Sequence, residues 1–588
     1  MDIDEINDIL ADNFDMLTAD NIKSWLFGNF PDQVKQEILS RLKKDPASLT
    51  DAFYRNLTFG TGGMRGIVGI GTNRINVFNI RKATQVLVNS LITRQIPGNS
   101  LRHKVIVGYD TRAQSQAFAW ETAAVLSSSG IEVLLFDKPR PVAMVSFGVI
   151  REHCSLGIMI TASHNPPEYN GYKVYMETGG QVISPFDKKI IEEFNCVKFV
   201  DVPKNNPSLI RNLGEDMDKA YLETVDKLRL YGDDDLALGN SLSVIYSSLH
   251  GTGMDIVPRL LKDWGFSGLE IVKEQAPDQG LFHTIGSPNP EEKEALSMGI
   301  EVLKKNQGDL FLATDPDADR LGVVILDKGE VVIFNGNQIA CLLAHHILGA
   351  LAKNIRLNDN YKLVKTIVTT ELLKNIAQKY GADVVDVPTG FKYVGEKMAL
   401  WEGTETVYVF GAEESYGYLY GTYAKDKDAA AAAALIAEAA LQAKNRKKTL
   451  LDVLYEIYNE HGFYACKTVS KTFEGKAGDK KIKDLMTVFR QYGEDKKNIG
   501  GKKVLLFEDY STGKFTYAVN VLRFFTEDGC RVVCRPSGTE PKMKFYFELC
   551  RKYDKNIADS ALSRERMIQV EAELDDFIKQ TFSTWNFN

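Results

Sequence analysis

Residues able to do chemistry gather in a few loops that directly follow apolar runs. The first is TASHNPPEYN, between the runs SLGIMI and GYKVY. It sets Ser163 beside His164, and Pro166 and Pro167 bar a helix and stiffen the loop. A serine next to an imidazole is a candidate for nucleophilic chemistry. No GxSxG elbow surrounds it, which disfavours a serine hydrolase. In an extended loop neighbouring side chains point to opposite sides, so His164 is expected to be poorly placed as the base of Ser163. A plain polar turn is the alternative.

The second stretch, GDLFLATDPDADRLGVVIL, carries Asp315, Asp317 and Asp319 between apolar strands. Alternate residues of an extended segment face one way, so the three carboxylates are expected to converge on one ion. Packed so closely they repel unless a cation sits among them. Oxygen-only ligands favour Mg²⁺ or a similarly hard ion. An EF-hand is excluded, because Arg320 and Leu326 stand where Gly and Glu would be required. The alternative is a solvated acidic turn.

CRPSGTEPK offers Arg535, Ser537 and Thr539 around a turn shaped by Pro536 and Gly538, a concave anion site or an ordinary Ser-Gly turn. TFGTGGMRGIVG has five glycines around Arg65 and allows close backbone approach to a ligand. It is no P-loop, since no GK[ST] follows. VFGAEESYGY presents Glu413, Glu414 and Ser415, acceptors suited to sugar hydroxyls, or a solvated turn. Lys425 and Lys427 precede an alanine-rich helix and oppose its macrodipole, a small cost that points to function or to simple solvation. One nucleophile, one hard-metal cluster, two anion-friendly loops and one acidic loop together describe phosphoryl transfer on a polyol phosphate.

These loops must be held by a scaffold. Strand, helix and strand alternate three times: from HKVIVGYD, from SVIYSSLHGTG and from KLVKTIVTT. Continuous Val/Ile/Leu runs between helices indicate mostly parallel sheets, whose ligands sit at the carboxyl ends of strands. Residues 1–57 read as helical and carry no chemistry of their own. Near the C-terminus an Asp528-Gly529 hairpin signal and a closing charged helix read as an antiparallel α+β domain. At ~150 residues per domain, 588 residues correspond to about four domains. The expected division is 1–213, an N-terminal helical segment and α/β domain I; 214–328, α/β domain II; 329–451, α/β domain III; and 452–588, α+β domain IV.

A net charge of −7, with dispersed lysines and arginines, argues against nucleic acid or an anionic membrane as partner. The acidic start MDIDEINDILAD lacks the form of a signal peptide, and Ala429 to Ala443 is too short and alanine-rich to span a bilayer. Seven scattered cysteines without a CxxC pair fit a reducing, cytoplasmic setting.

TASHNP, DPDADR, AEESYG, RPSGTEPK and GTGGMRG, in this order apart from the N-terminal GTGGMRG, together with VGYDTR, NGNQIA and PTGFK, make the chain resemble the α-D-phosphohexomutase superfamily of phosphoglucomutases and phosphomannomutases. The resemblance runs from Thr58 to Tyr546 and is greatest to the branch that includes the phosphoglucomutase-2 and phosphopentomutase proteins. It implies four domains around a central cleft, three of them related mixed-sheet α/β folds. It implies that Ser163 carries phosphate in the active form, and that one Mg²⁺ is bound by Asp315, Asp317, Asp319 and a phosphoserine oxygen. Arg65, His164, Lys173 and Arg320 would line the phosphoryl-transfer site. Thr389 and Gly390 would belong to a sugar-side loop, and Glu413 and Ser415 would grip sugar hydroxyls. Arg535, Ser537, Gly538 and Thr539 would hold the phosphate that is not reacting, and Lys427 would contact substrate and aid proton transfer. Ala412, Pro316 and Ala318 depart from common family residues without removing a functional side chain.

The implied activity is interconversion of glucose 1-phosphate and glucose 6-phosphate through glucose 1,6-bisphosphate, in a monomer or weak homo-oligomer acting on small sugar phosphates. Phosphomannomutase or phosphopentomutase activity is the alternative within the class. A HAD-like sugar phosphatase, read from FLATDPDAD, and a non-catalytic phosphosugar-binding protein lie outside it.

Overall fold

The computed structural model describes residues 2–60, 63–93, 103–197, 203–232, 239–473, 475–537, 542–553 and 560–585. Two compact units emerge. One comprises Met1–Val331, Phe391–Gly403 and Gly417–Ala437; the other comprises Val332–Gly390, Thr404–Tyr416 and Glu438–Asn588.

The first unit opens with four helices: Ile3–Asn13, Met16–Leu26, Asp32–Lys44 and Ala47–Phe53. Asp2 and Asp15 cap the first two, each carboxylate accepting from a backbone N–H three residues on. Their apolar faces enclose Leu10, Ile22, Trp25, Leu42 and Phe53. A six-stranded sheet follows, built from β1 (Gly63–Ile67), β2 (Lys104–Tyr109), β3 (Glu132–Phe136), β4 (Leu156–Ile160), β5 (Tyr169–Met176) and β6 (Ile210–Leu213). Its order is β1-β5-β4-β2-β3-β6. β2 lies parallel to β3 and β4, while β5 returns antiparallel between β4 and β1. The central strands are buried on both faces, which is why they read as unbroken apolar runs.

A second sheet in the same unit contains β7 (Val244–Ser247), β8 (Leu269–Ile271), β9 (Leu310–Thr314) and β10 (Leu321–Asp327). β7 is parallel to β8 and β9, and β9 and β10 pair antiparallel with Thr314 opposite Leu321. The acidic segment is therefore the tip of a hairpin. β11 (Glu330–Phe334) carries the chain into the second unit.

There β12 (Tyr361–Thr366) lies parallel to β13 (Asp383–Val387) and β14 (Val407–Glu413). β15 (Gly417–Tyr420) is already part of the first unit. The C-terminal sheet is wholly antiparallel, in the order β16 (Phe463–Thr472), β20 (Lys542–Arg551), β19 (Cys530–Pro536), β18 (Leu522–Thr526), β17 (Val504–Asp509). Three α/β sheets and one antiparallel α+β sheet thus follow the expected sequence. The alanine-rich segment forms the helix Ala429–Asn445, with Asp428 Oδ1 accepting from Ala430 and Ala431 N–H. Among the described residues no helix is long and apolar enough to cross a membrane.

Candidate active site

Ser163 sits just past the carboxyl end of β4, where the antiparallel return of β5 forces a turn. The loop is not extended. Ser163 has φ 52°, in the left-handed region, and its N–H donates to Thr161 Oγ1 at 2.8 Å. The expectation that His164 points away from it is therefore overturned. His164 Nδ1 lies 3.2 Å from Ser163 Oγ, because the left-handed backbone folds the two neighbouring side chains together. Burial, then the charges of Arg320 and Arg65, push the His164 pKa well below its ordinary value. The imidazole is accordingly neutral near pH 7.

The loop is held from beneath by Arg112, which follows β2 in VGYDTR. Its Nη2 donates to the carbonyls of Ser163 and Asn165, each at 2.6 Å. Its Nη1 donates to Pro166 at 2.6 Å and Tyr169 at 3.0 Å. Asp110 pairs with its Nε at 3.1 Å, and both side chains are buried. One planar guanidinium thus ties down four carbonyls of a single loop, a task its fork geometry suits and lysine's point charge does not. Sequence reading noted VGYDTR and assigned Arg112 no role; its position just after a parallel strand's carboxyl end was the available signal.

The three aspartates do converge, but not by alternation along a strand. The segment is a tight turn: Ala318 N–H donates to the Asp315 carbonyl at 2.9 Å, and Ala318 has φ 52°. Asp315 Oδ1 then accepts from the N–H groups of Asp319 and Arg320 at 2.9 and 3.0 Å. The turn rests on the loop after β7, where Thr252 N–H donates to the Pro316 carbonyl at 2.9 Å. A Cβ on Gly251 would lie 2.5 Å from Pro316 Cα, so only glycine permits this approach.

One oxygen from each of the three carboxylates lies within 4.8 Å of the others, and all three residues are buried. Among the described residues, Asp317 Oδ1 and Asp319 Oδ1 have no hydrogen-bond partner. Buried carboxylate oxygens left unpaired cost free energy, and a hard cation satisfies them. The donor set fits Mg²⁺. Asp315 Oδ2 also accepts from Ser163 Oγ at 3.0 Å, joining the serine to the carboxylate cluster. Burial, and then Asp317 and Asp319, raise the Asp315 carboxyl well above the usual range.

Two lysines face the cluster. Lys173, on β5, reaches Asp317 Oδ2 at 2.7 Å and Asp319 Oδ2 at 3.5 Å. Burial opposes its charge, but these two carboxylates outweigh burial and hold its pKa above the ordinary value. Lys427 Nζ lies 3.1 Å from Asp319 Oδ2 and 3.3 Å from Asp426 Oδ1. Burial would raise the Asp319 pKa; Lys427 and Lys173 reverse that and hold it below the carboxylate range. Lys427's stem crosses Gly417, where an added Cβ would lie 2.0 Å from Lys427 Cδ. Arg320 pairs with Glu291, and exposed Arg65 on β1 donates from Nη1 to Asn165 Oδ1 at 2.8 Å. Ser163, His164, Arg65, Lys173, Arg320, Lys427 and the three aspartates therefore all belong to the first unit.

The other candidates belong to the second unit. Gly390 N–H donates to Glu413 Oε1 at 2.9 Å, so the PTGFK and AEESYG loops meet there. Thr389 Oγ1 is buried without a hydrogen-bond partner among the described residues. Ser415 is half-buried in the turn after β14. Glu414 differs from expectation: its Oε2 accepts from Thr366 and Thr369 hydroxyls at 3.1 and 3.4 Å, which ties it to the scaffold. Arg535 is the penultimate residue of β19, and Ser537 N–H donates to the Lys542 carbonyl at 2.8 Å. Gly538 and Thr539 lie outside the described residues.

Comparison with known proteins matches this architecture throughout. Models of the phosphoglucomutase/phosphomannomutase family match domain by domain: α/β/α domain I at residues 56–201, II at 219–328, III at 335–461, and the C-terminal domain at 476–556. A phosphoglucomutase of Staphylococcus aureus is 35% identical over 529 residues, which covers 86% of this chain and 92% of that protein. Among solved structures, a putative phosphomannomutase from Thermus thermophilus aligns with a TM-score of 0.64 at 23% identity, covering 88% of this chain and 99% of that one. Parafusin, a phosphoglucomutase from Paramecium, aligns at 0.65 and 18%, covering 90% and 96%; these two likenesses bear on fold. The chain belongs to the phosphoglucomutase/phosphomannomutase family of the α-D-phosphohexomutase superfamily, and is an enzyme of the isomerase class, an intramolecular phosphotransferase.

Proposed function

We propose that the protein interconverts glucose 1-phosphate and glucose 6-phosphate, with Ser163 as the phosphate carrier and glucose 1,6-bisphosphate as the intermediate. The observation that carries the reading is the serine hydroxyl, hydrogen-bonded at 3.0 Å to a buried three-carboxylate cluster that fits a hard cation. The 35% identity to a phosphoglucomutase supports glucose as the sugar. Four domains at 1–213, 214–328, 329–451 and 452–588 are the division that goes with it.

In this reading the P–Oγ bond of phospho-Ser163 breaks as a P–O bond forms to the free hydroxyl of a sugar monophosphate. The bisphosphate turns end over end, and its other phosphoryl group returns to Ser163. Asp315, Asp317 and Asp319 would hold one Mg²⁺ together with a phosphoserine oxygen; when bound, it supplies neutralisation of phosphoryl charge. Arg65 and Arg320 offer donors to the phosphoryl oxygens, and neutral His164 hydrogen-bonds at Ser163 Oγ without adding charge. Lys173 is held charged by Asp317 and Asp319. Lys427 handles the proton of the attacking hydroxyl. Thr389, Gly390, Glu413 and Ser415 position the sugar, and Arg535 and Ser537, with Gly538 and Thr539, hold the distal phosphate. The partners are small sugar phosphates and the setting cytoplasmic, in a monomer or weak homo-oligomer.

The test pairs peptide mass spectrometry with a substrate panel. Phosphate on the Ser163 peptide, absent in Ser163→Ala, and a higher kcat/KM for glucose 1-phosphate than for mannose or ribose 1-phosphate are expected. A preference for mannose or ribose would transfer the assignment to a phosphomannomutase or phosphopentomutase. Acyl-labile phosphate on an aspartate, with none on Ser163, would replace it with a HAD-like phosphatase.

A further inference from the structure

A pocket of about 290 Å³ opens in the first unit, and none of the candidate phosphoryl-transfer residues described above lines it. It is walled by Trp25 and Phe30 from the N-terminal helical segment, Phe78 and Lys82 from the helix Val77–Ile92, and Phe194 from the helix Phe186–Cys196. The walls are rigid. Trp25 and Phe30 stack with centroids 4.3 Å apart, and Phe78 meets them edge-on at 5.3 and 4.9 Å. Trp25 and Phe78 are buried and Phe30 half-buried, so the ring cluster has little freedom to collapse into the space.

Lys82 is the anomaly in this wall. It is half-buried, and its Nζ stands 4.4 Å from the Phe194 ring centroid. Among the described residues no carboxylate pairs with it. A ring face is poor compensation for lost water. Burial accordingly pushes the ammonium's pKa down, with Cys196 opposing. An ammonium held at the edge of an aromatic pocket, without an acid of its own, is complementary to a ligand that brings both a ring and an anion.

We propose that this pocket is a binding site for a small planar aromatic acid, with the ring against Trp25, Phe30 and Phe78 and the acid group on Lys82. No residue of the phosphoryl-transfer machinery takes part, so the site is distinct from the one above.

The test uses the full chain and two probes, 4-fluorobenzoate and its neutral isostere 4-fluorobenzamide, followed by ¹⁹F NMR titration. The benzoate is expected to bind at least about tenfold more tightly than the amide, the equivalent of one charge-assisted contact. Lys82→Met should erase the difference and Lys82→Arg should keep it, while saturating glucose 1,6-bisphosphate should displace neither probe. Equal affinities, no benzoate binding by ~10 mM (about −2.7 kcal/mol), a difference that persists in Lys82→Met, or displacement by the bisphosphate would each overturn the proposal. If Lys82→Met does not fold, the acid-to-amide ratio of the unmodified chain decides alone, a ratio near one being the overturning result.

Discussion

At the scale of single residues, the candidate nucleophile is held by side chains that would not themselves react. Ser163 is presented by a strained left-handed backbone, and Arg112 anchors that strain through four carbonyls. Arg112→Lys keeps the charge beside Asp110 but cannot span four acceptors. Misplacement of the serine by about 1 Å costs on the order of 100-fold, so kcat is expected to fall by about that factor while KM changes little. Steady-state kinetics with glucose 1-phosphate check this, and a KM rise without a kcat loss would contradict it. Asp317→Asn removes one of the converging carboxylates. The Mg²⁺ concentration for half-maximal activity should rise at least about tenfold, as read by titration after chelation.

At the scale of elements, the site is a meeting of strand ends and hairpin tips. β4 and β5 present Ser163 and Lys173; the β9–β10 tip presents the aspartates; the loop before the helix Ala429–Asn445 presents Lys427. The close crossing of Lys427 over Gly417 makes a prediction. Gly417→Ala places a Cβ 2.0 Å from Lys427 Cδ, which forces the ammonium off Asp319. A kcat loss of about 10-fold or more, with a melting temperature within a few degrees of the parent, is expected. Equal activity in the two proteins would show that Lys427 can reach the site by another path.

At the scale of the molecule, the second unit contains a charge network as developed as the active site. Lys365 on β12 pairs with Asp386 at 2.9 Å and Glu371 at 3.1 Å. Arg523 on β18 reaches Asp386 at 2.8 Å, and Arg531 on β19 reaches Glu371 at 2.8 Å. The apolar cluster of Ile367, Val368, Tyr510, Val533 and Tyr546 packs alongside. Burial opposes ionisation of Asp386 and Glu371, but Lys365 first and the arginines next hold both carboxyls below their usual range. A carboxyl with a depressed folded pKa contributes stability above its unfolded value near 4 and loses it as pH falls through the folded value. Asp386→Asn should therefore lower stability by about 3 kcal/mol at pH 7, and the gap should narrow steadily below about pH 4. Urea midpoints at pH 7 and pH 3.5 measure it; a gap that is constant with pH would refute the electrostatic account.

The chain's order of residues by itself determined the classes of its sheets, the loops that matter and the residue types in them. Apolar runs must be buried, prolines and glycines must punctuate, and three acids between buried strands have few structural uses. Ser163, the three aspartates, Arg65, Lys173 and Lys427 all stood out as candidates in that way or through family motifs. Only the tertiary structure decided how they meet. The aspartates converge through a tight turn at Ala318 rather than along an extended strand, and His164 turns toward Ser163 because the serine adopts a left-handed φ. Arg112, Gly417 and the scaffold role of Glu414 stayed hidden for the same reason. Their partners lie from ten positions (Lys427 for Gly417) to 57 positions (Tyr169 for Arg112) away, several of them backbone carbonyls, and spacing along a chain carries no record of which groups a fold brings together.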